Sequence, residues 1–143
     1  MASGTYNSLG ALAAGAGVGW TTATIRVLLV SSSYTYDADH ATVADVSASE
    51  LGVSGYARQT IASPTVTTDS ANNRVVLDAA DMTFTALGAG ETLGGAVVFK
   101  RVGVSDASSD PLIAFIDTND LILNGGDAIV QWSANGIARI TVV

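Results

Sequence analysis

Three observations on the 143-residue sequence predict an all-β fold. Short β-branched stretches recur between Gly-, Asn- and Asp-rich punctuation, apolar residues almost nowhere follow a helical spacing, and the polar residues are mainly Thr, Ser and Asn rather than charged ones. Eight or nine short strands in one domain predict a two-sheet antiparallel β-sandwich, a jelly roll by strand count, with an extended N-terminal arm. An immunoglobulin-like sandwich is the rival; the chain has no cysteine, so the disulfide of antibody domains is missing.

Residues 1–20 are the compositional outlier and are read as a flexible arm, with residues 21–143 as the single sandwich domain. Gly10, Gly15, Gly17 and Gly19 argue against a stable helix there despite the alanines. Residues 22–30 set Ile25, Val27 and Leu29 against Thr24, Arg26 and Leu28, which predicts a strand with one apolar face. Residues 39–49 are the one helical stretch, one or two turns, with Asp39 as N-cap and Val43 and Val46 on one side. Residues 56–62 form the next strand. Residues 64–68 and 74–79 flank the turn-rich Asp69-Ser70-Ala71-Asn72-Asn73 and read as a hairpin. Strands follow at 82–86, 95–102 and 112–117. Residues 128–133 and 137–143 bracket Ala134-Asn135-Gly136, whose Asn-Gly supplies the backbone angles of a tight hairpin turn.

Two of these strands carry information beyond their existence. Ala96-Val97-Val98-Phe99 and Leu112-Ile113-Ala114-Phe115-Ile116 are apolar on both faces, whereas a sandwich strand normally shows one face to water. Such strands must be covered twice. With little helix to do it, the expected cover is the N-terminal arm or a second subunit, which makes a homo-oligomer an expectation.

Charge and composition exclude several classes of function. Six Lys+Arg against 13 Asp+Glu leave a net charge of −7, the wrong sign for gripping phosphates, so no nucleic-acid partner is expected. Absence of cysteine removes thiolate nucleophiles and cysteine-held zinc. The N-terminal residues lack the positive start of a signal peptide. The apolar stretches 96–99 and 112–116 are too short to span a bilayer, so a soluble chain without membrane association is expected.

A search for chemistry yields no catalytic, cofactor-binding or metal-binding residue. His40 is the only histidine, and a nucleophilic triad would need it beside Asp37 or Asp39 and one of Ser31–Ser33. No Gly-x-Ser-x-Gly elbow exists to expose such a serine, so His40 is expected to rest on an aromatic neighbour or bond a backbone carbonyl. Asp117-Thr118-Asn119-Asp120, with Asp127 further on, is the densest oxygen cluster. It lacks the glycine and terminal glutamate of a helix–loop–helix calcium site, and Asp and Asn are in any case the ordinary residues of turns. Asp106 and Asp110 bracket an ordinary polar loop. Gly88-Ala89-Gly90 and Gly94-Gly95 precede a strand rather than a helix, which is wrong for a phosphate loop. Trp20 and Trp132 are scattered, and Trp132 falls on the apolar face of its strand rather than on a sugar platform.

The order of short motifs after Thr22 resembles a group of small tailed-phage virion proteins. It runs through Arg26-Val27-Leu28-Leu29, Tyr34 with Asp37 and His40, Ala44-Asp45-Val46 and Gly55-Tyr56-Ala57-Arg58. It continues through Val66-Thr67-Thr68-Asp69, Asn73-Arg74-Val75, Asp81-Met82-Thr83-Phe84 and Gly95-Ala96-Val97-Val98-Phe99. It ends with Asp110-Pro111 through Asp117 and with Trp132 to Gly136-Ile137. The arm takes no part.

The resemblance implies a non-enzymatic decoration, or cement, protein, made in the host cytoplasm and mounted on the outer surface of the capsid. Its implied partners are the major capsid protein and itself, as homodimer or homotrimer, and no cofactor is implied. Residues 96–99 or 112–116 are then expected near a subunit contact, and the arm and residues 37–46 at the shell. A tail or fibre component, or a carbohydrate-binding β-sandwich, is the alternative; the first would want exposed aromatics at loop tips, the second an aromatic platform or a calcium ion.

Overall fold

In the computed structural model, which describes residues 2–141, the chain is built around a five-stranded antiparallel sheet. Its order is β1 (Gly4–Thr5), β8 (Leu112–Ile122), β7 (Thr92–Arg101), β2 (Thr24–Ser31) and β3 (Gln59–Thr60). A second sheet has the order β10 (Ala138–Thr141), β5 (Arg74–Asp78), β4 (Thr65–Asp69), and a third pairs β6 (Met82–Phe84) with β9 (Ala128–Val130). Every strand pair is antiparallel, and the protein is all-β as expected.

Register explains the doubly apolar strands. Val27 lies opposite Val98 and Leu29 opposite Ala96, while Ala96 and Val98 face Ile116 and Ala114. These residues make one face, and it shares a core with Leu77 and Ala138 of the second sheet and Met82, Phe84 and Val130 of the third. The alternate residues, Leu28, Val30, Val97, Phe99, Leu112 and Phe115, make the other face and bury a separate core with Tyr6, Tyr34, Val43 and Val46. The expectation that residues 22–30 bury one face is therefore corrected: Leu28 and Val30 are as fully buried as Val27 and Leu29.

The second cover comes from this chain's own first residues, one of the two covers expected, and the expectation that no helix forms there is corrected. Within the described part of that segment, residues 2–20, Gly4–Thr5 adds a strand to the edge of β8 and α1 (Asn7–Ala14) follows. The helix forms because Gly10 alone lies inside it; Gly15, Gly17 and Gly19 come after its end. Tertiary anchors then outweigh weak propensity: Leu9 is buried, and the Ser8 hydroxyl donates to the Leu112 carbonyl at 2.6 Å. Gly17 and Gly19, at φ +83° and +63°, turn the chain toward buried Trp20, whose indole N–H donates to the Asp78 carbonyl at 2.8 Å.

Other boundaries shift for identifiable reasons. The short helix exists as α2 (Val43–Val46) plus a 3₁₀ turn at Ser47–Ser49, with Val43 and Val46 buried, but its cap is Thr42 in a capping box with Asp45 rather than Asp39. The 56–62 strand shrinks to β3. The 64–79 hairpin forms as β4–β5, its tip closed by Asn73 in the left-handed region at φ +50°. The hairpin expected across Ala134-Asn135-Gly136 does not form. Gly136 does make a tight turn, its N–H on the Ser133 carbonyl, yet β9 pairs with β6 and β10 with β5. Trp132 decides this: its indole N–H donates to the Ala80 carbonyl and its backbone N–H to Asp81 Oδ1, tying it to the run into β6. The expected last strand, 137–143, is described only as far as residue 141, and Met1 likewise lies outside the described residues.

Candidate functional site

Two segments far apart in sequence, residues 2–14 and 34–46, lie side by side on the outside of the large sheet. The Asn7 backbone N–H donates to the Ala38 carbonyl at 2.9 Å, and its side-chain amide donates to Asp39 at 2.7 Å. The Tyr36 hydroxyl donates to the Thr5 carbonyl at 2.6 Å. Beneath them the Tyr6 and Tyr34 hydroxyls share a 2.9 Å hydrogen bond, and Tyr34 shares another of 2.9 Å with His40 Nδ1. Phe115 supports the group from the sheet, its ring stacked on Tyr36 at 5.6 Å and tilted against Tyr34 at 5.3 Å.

Close approach is built into the sequence at two glycines. A Cβ at Gly95 would collide with the Phe115 ring, and one at Gly4 with the Tyr36 ring, so both must stay bare for the aromatic layer to seat.

His40 takes the bland role expected of it, on an aromatic neighbour. The serines and carboxylates of a hypothetical triad are occupied elsewhere: Ser31 bonds Ser33, Asp37 accepts from the Asp39 N–H, and Asp39 accepts from Asn7. Burial raises the Tyr6 phenol far above its ordinary value, with the Tyr34 hydrogen bond adding to it, and burial also raises Tyr34. Both stay neutral through any ordinary pH. The cluster joins the two segments to each other and to the sheet.

The helix start on this face depends on Asp45. One of its carboxylate oxygens accepts the backbone N–H groups of Thr42 and Ala41, both at 2.9 Å, and the Thr42 hydroxyl at 3.3 Å. Those bonds, Thr42's first, hold Asp45 below the usual aspartate range. A carboxyl lowered by folding stabilises the fold above its unfolded value, about 3.9, and loses that contribution as pH falls through the folded value. Asp45→Ala is expected to cost about 1 kcal/mol near neutral pH. Urea melts of both proteins should converge in acid; an equal gap at both pH values would contradict the assignment.

A second cluster forms at the other end of the same face, where sequence reading saw only an ordinary loop around Asp106. Arg26 approaches its two carboxylate oxygens at 3.1 Å each, Arg58 at 3.6 Å and Arg101 at 3.7 Å. Arg58 also grips Glu50 through two bonds of 2.6 and 2.8 Å and lies over the Phe99 ring at 5.5 Å. Tyr56 donates to Glu50 at 2.7 Å and accepts the Leu29 N–H at 3.0 Å. The Glu50 hydrogen bond raises the Arg58 guanidinium, and burial raises Tyr56. Half of the six cationic side chains thus converge on one loop aspartate, a grouping that positions 26, 50, 58, 101 and 106 do not announce. It holds three guanidiniums and two carboxylates, and their ion pairs clamp the Asp106 loop to the sheet. Asp110, 1% exposed, finishes the loop by accepting the N–H groups of Val102 and Ala107 at 3.0 and 2.8 Å.

The Asp117–Asp120 cluster and Asp127 are not brought together as a ligand set. Asp117 caps the Asn119 N–H, while Asp127 accepts the Ala86 N–H in a different turn. Among the described residues no group of three His, Cys, Asp or Glu is placed to hold a metal ion, and no helix is long and apolar enough to cross a membrane. Strands 96–99 and 112–116 were expected near a subunit contact. They are interior strands of the large sheet; Ala96, Val97, Val98, Phe99, Leu112, Ile113 and Ala114 are 0% exposed within one chain, while Ile116 is half-buried. No protein-family model matches the chain, and neither does any curated protein or solved structure.

Proposed function

We propose that this is a non-enzymatic decoration protein of a tailed-phage head, which binds the major capsid protein on the outer surface of the virion and ties joints between capsid subunits. The class rests on the resemblance of residues 22–137. The observation that carries the reading further is the uncharged face made by the start of the chain. No charged residue precedes Arg26 in a protein of net charge −7, and Ala2, Ser3, Thr5, Gly10, Ala11 and Ala14 are exposed along it.

A lattice contact benefits from such a face. It is preorganised by the tyrosine layer, so little ordering entropy is lost on docking, and it presents small side chains without like-charge repulsion. Many such contacts, repeated over a shell and shared by the subunits of a homodimer or homotrimer, add up through multivalency. The acidic remainder faces outward, away from DNA. As the frame for this role we infer a two-layer β-sandwich, because the large sheet shares one core with both smaller sheets. Sheets of five, three and two strands are not the two four-stranded sheets of a jelly roll. All nine aromatic residues are buried or half-buried, which favours this reading over an exposed sugar platform or aromatic loop tips on a fibre.

Shells of the phage that encodes the protein, assembled without it, provide the test. The purified chain should co-sediment with them, and Ala11→Glu, on the exposed side of α1, should weaken binding while leaving the far-UV spectrum unchanged. If the unmodified protein stays in the supernatant, the proposal fails.

A further inference from the structure

Two free strand edges share one groove. Strand β1 ends the large sheet and β10 ends the second sheet, and a cavity of about 570 Å³ is lined by both. Ser3 and Thr5 line it from one side, Ser133, Arg139 and Thr141 from the other, together with buried Ile137. A smaller cavity of about 260 Å³ shares Thr5 and Arg139 with it and reaches Asn7 and Gly10 of α1. No aspartate or glutamate lines either one.

Strand β1 offers this groove a backbone donor. The Tyr6 N–H donates to the Ile113 carbonyl at 3.1 Å, and Gly4 lies opposite Phe115. In the antiparallel alternation Gly4 and Tyr6 therefore bond β8, while Thr5 turns its N–H and carbonyl away from β8 to the free edge. Tyr36 holds that carbonyl, and the Thr5 N–H has no partner among the described residues. Size sets the length of what could be added. With sheets about 10 Å apart, strands about 4.8 Å apart and a rise of about 3.3 Å, an extended residue takes roughly 160 Å³, so the groove has room for about three or four.

Charge selects the occupant. Arg26, Arg58 and Arg101 meet Asp106, Arg74 meets Asp69, and Lys100 donates to the Gly17 carbonyl. Arg139 alone of the six cationic side chains has no acceptor among the described residues, and it stands exposed at the groove. A cation on a free edge wards off an ordinary incoming strand. A strand that carries a carboxylate instead brings the partner that Arg139 lacks. We infer that this groove binds an extended peptide segment of a partner protein, of that length and with one Asp or Glu in it. Its backbone accepts the Thr5 N–H and so adds a strand beside β1, and its carboxylate is gripped by the Arg139 guanidinium. The inference concerns the groove and stands whether or not the protein binds a shell.

A library of random hexapeptides panned against the immobilised full chain tests it. The peptides recovered should carry one acidic residue among β-branched ones, and a synthesised one should slow hydrogen exchange at the Thr5 amide. Arg139→Gln should weaken its binding about tenfold or more, the effect of losing a charge-assisted pair, with the thermal transition unchanged. Replacing the peptide's acid by the matching amide should weaken binding to the unmodified chain equally, which reads the same pairing without altering the protein. A library that yields no binder, binders indifferent to Arg139→Gln and to loss of their own acid, or a Thr5 amide that exchanges as before would overturn the inference.

Discussion

Phe115→Ala should lower the unfolding free energy by about 3–5 kcal/mol, the range for emptying a fully buried aromatic site. Phe115 is 1% exposed and is the floor on which Tyr34 and Tyr36 rest, with Gly95 bare beneath it to make room. The neighbours cannot collapse into the gap easily. Tyr34 is tied to Tyr6 and His40, and Tyr36 to the Thr5 carbonyl, so each is held by bonds that a shift would break. The substitution should therefore both destabilise the fold and loosen the start of the chain. Equilibrium denaturation reads the first effect, and faster proteolytic cleavage before residue 15 reads the second. A loss under about 1 kcal/mol would mean that the tyrosine layer does not sit on this residue.

Asp106→Ala carries the second-largest expected cost, about 2–3 kcal/mol, from the lost charge-assisted hydrogen bond of Arg26 and the loss of the carboxylate from among three guanidiniums. Its side chain is 17% exposed, and the Arg26, Arg58 and Arg101 side chains are 19–26% exposed, so water screens the cluster only in part. Without the aspartate, three guanidiniums converge with Glu50 as the remaining carboxylate, and Glu50 contacts Arg58 alone among them. Arg101 and Arg26 then repel across the end of the β2–β7 ladder. Added salt should narrow the deficit by screening that repulsion. Thermal melts at low and high ionic strength check both points; a variant that melts with the unmodified protein would show the cluster to be inert.

The strands that alternate or carry β-branched runs were legible because their pattern is local. Met82 and Phe84 on one face, the Asp69–Asn73 tip and the central apolar strands all follow from neighbours in the chain. What could not be read depends on contacts between distant segments. Tyr6, Tyr34, Tyr36 and Phe115 form one layer only because β1 joins β8 and the 34–46 segment folds over it, and no spacing encodes that. The helix at Asn7–Ala14 was hidden because glycine-rich propensity argues against it until Leu9 and Ser8 find their places on the sheet. The Asn-Gly turn was read correctly as a turn and wrongly as a hairpin, since Trp132 directs its strands to different sheets. Asp106 looked like any loop aspartate; its three arginines come from three other strands or loops.

The central claim is that the uncharged face formed by residues 2–14, flanked by the 37–46 segment with its exposed Asp37, Asp39 and Asp45, meets a capsid lattice. Imaging shells of the encoding phage after incubation with the protein tests it most directly. The account predicts regular added density at joints between capsid subunits, with α1 and the 37–46 segment against the shell and the acidic remainder outward. Bare shells, or density docked through the opposite side of the molecule, would contradict it.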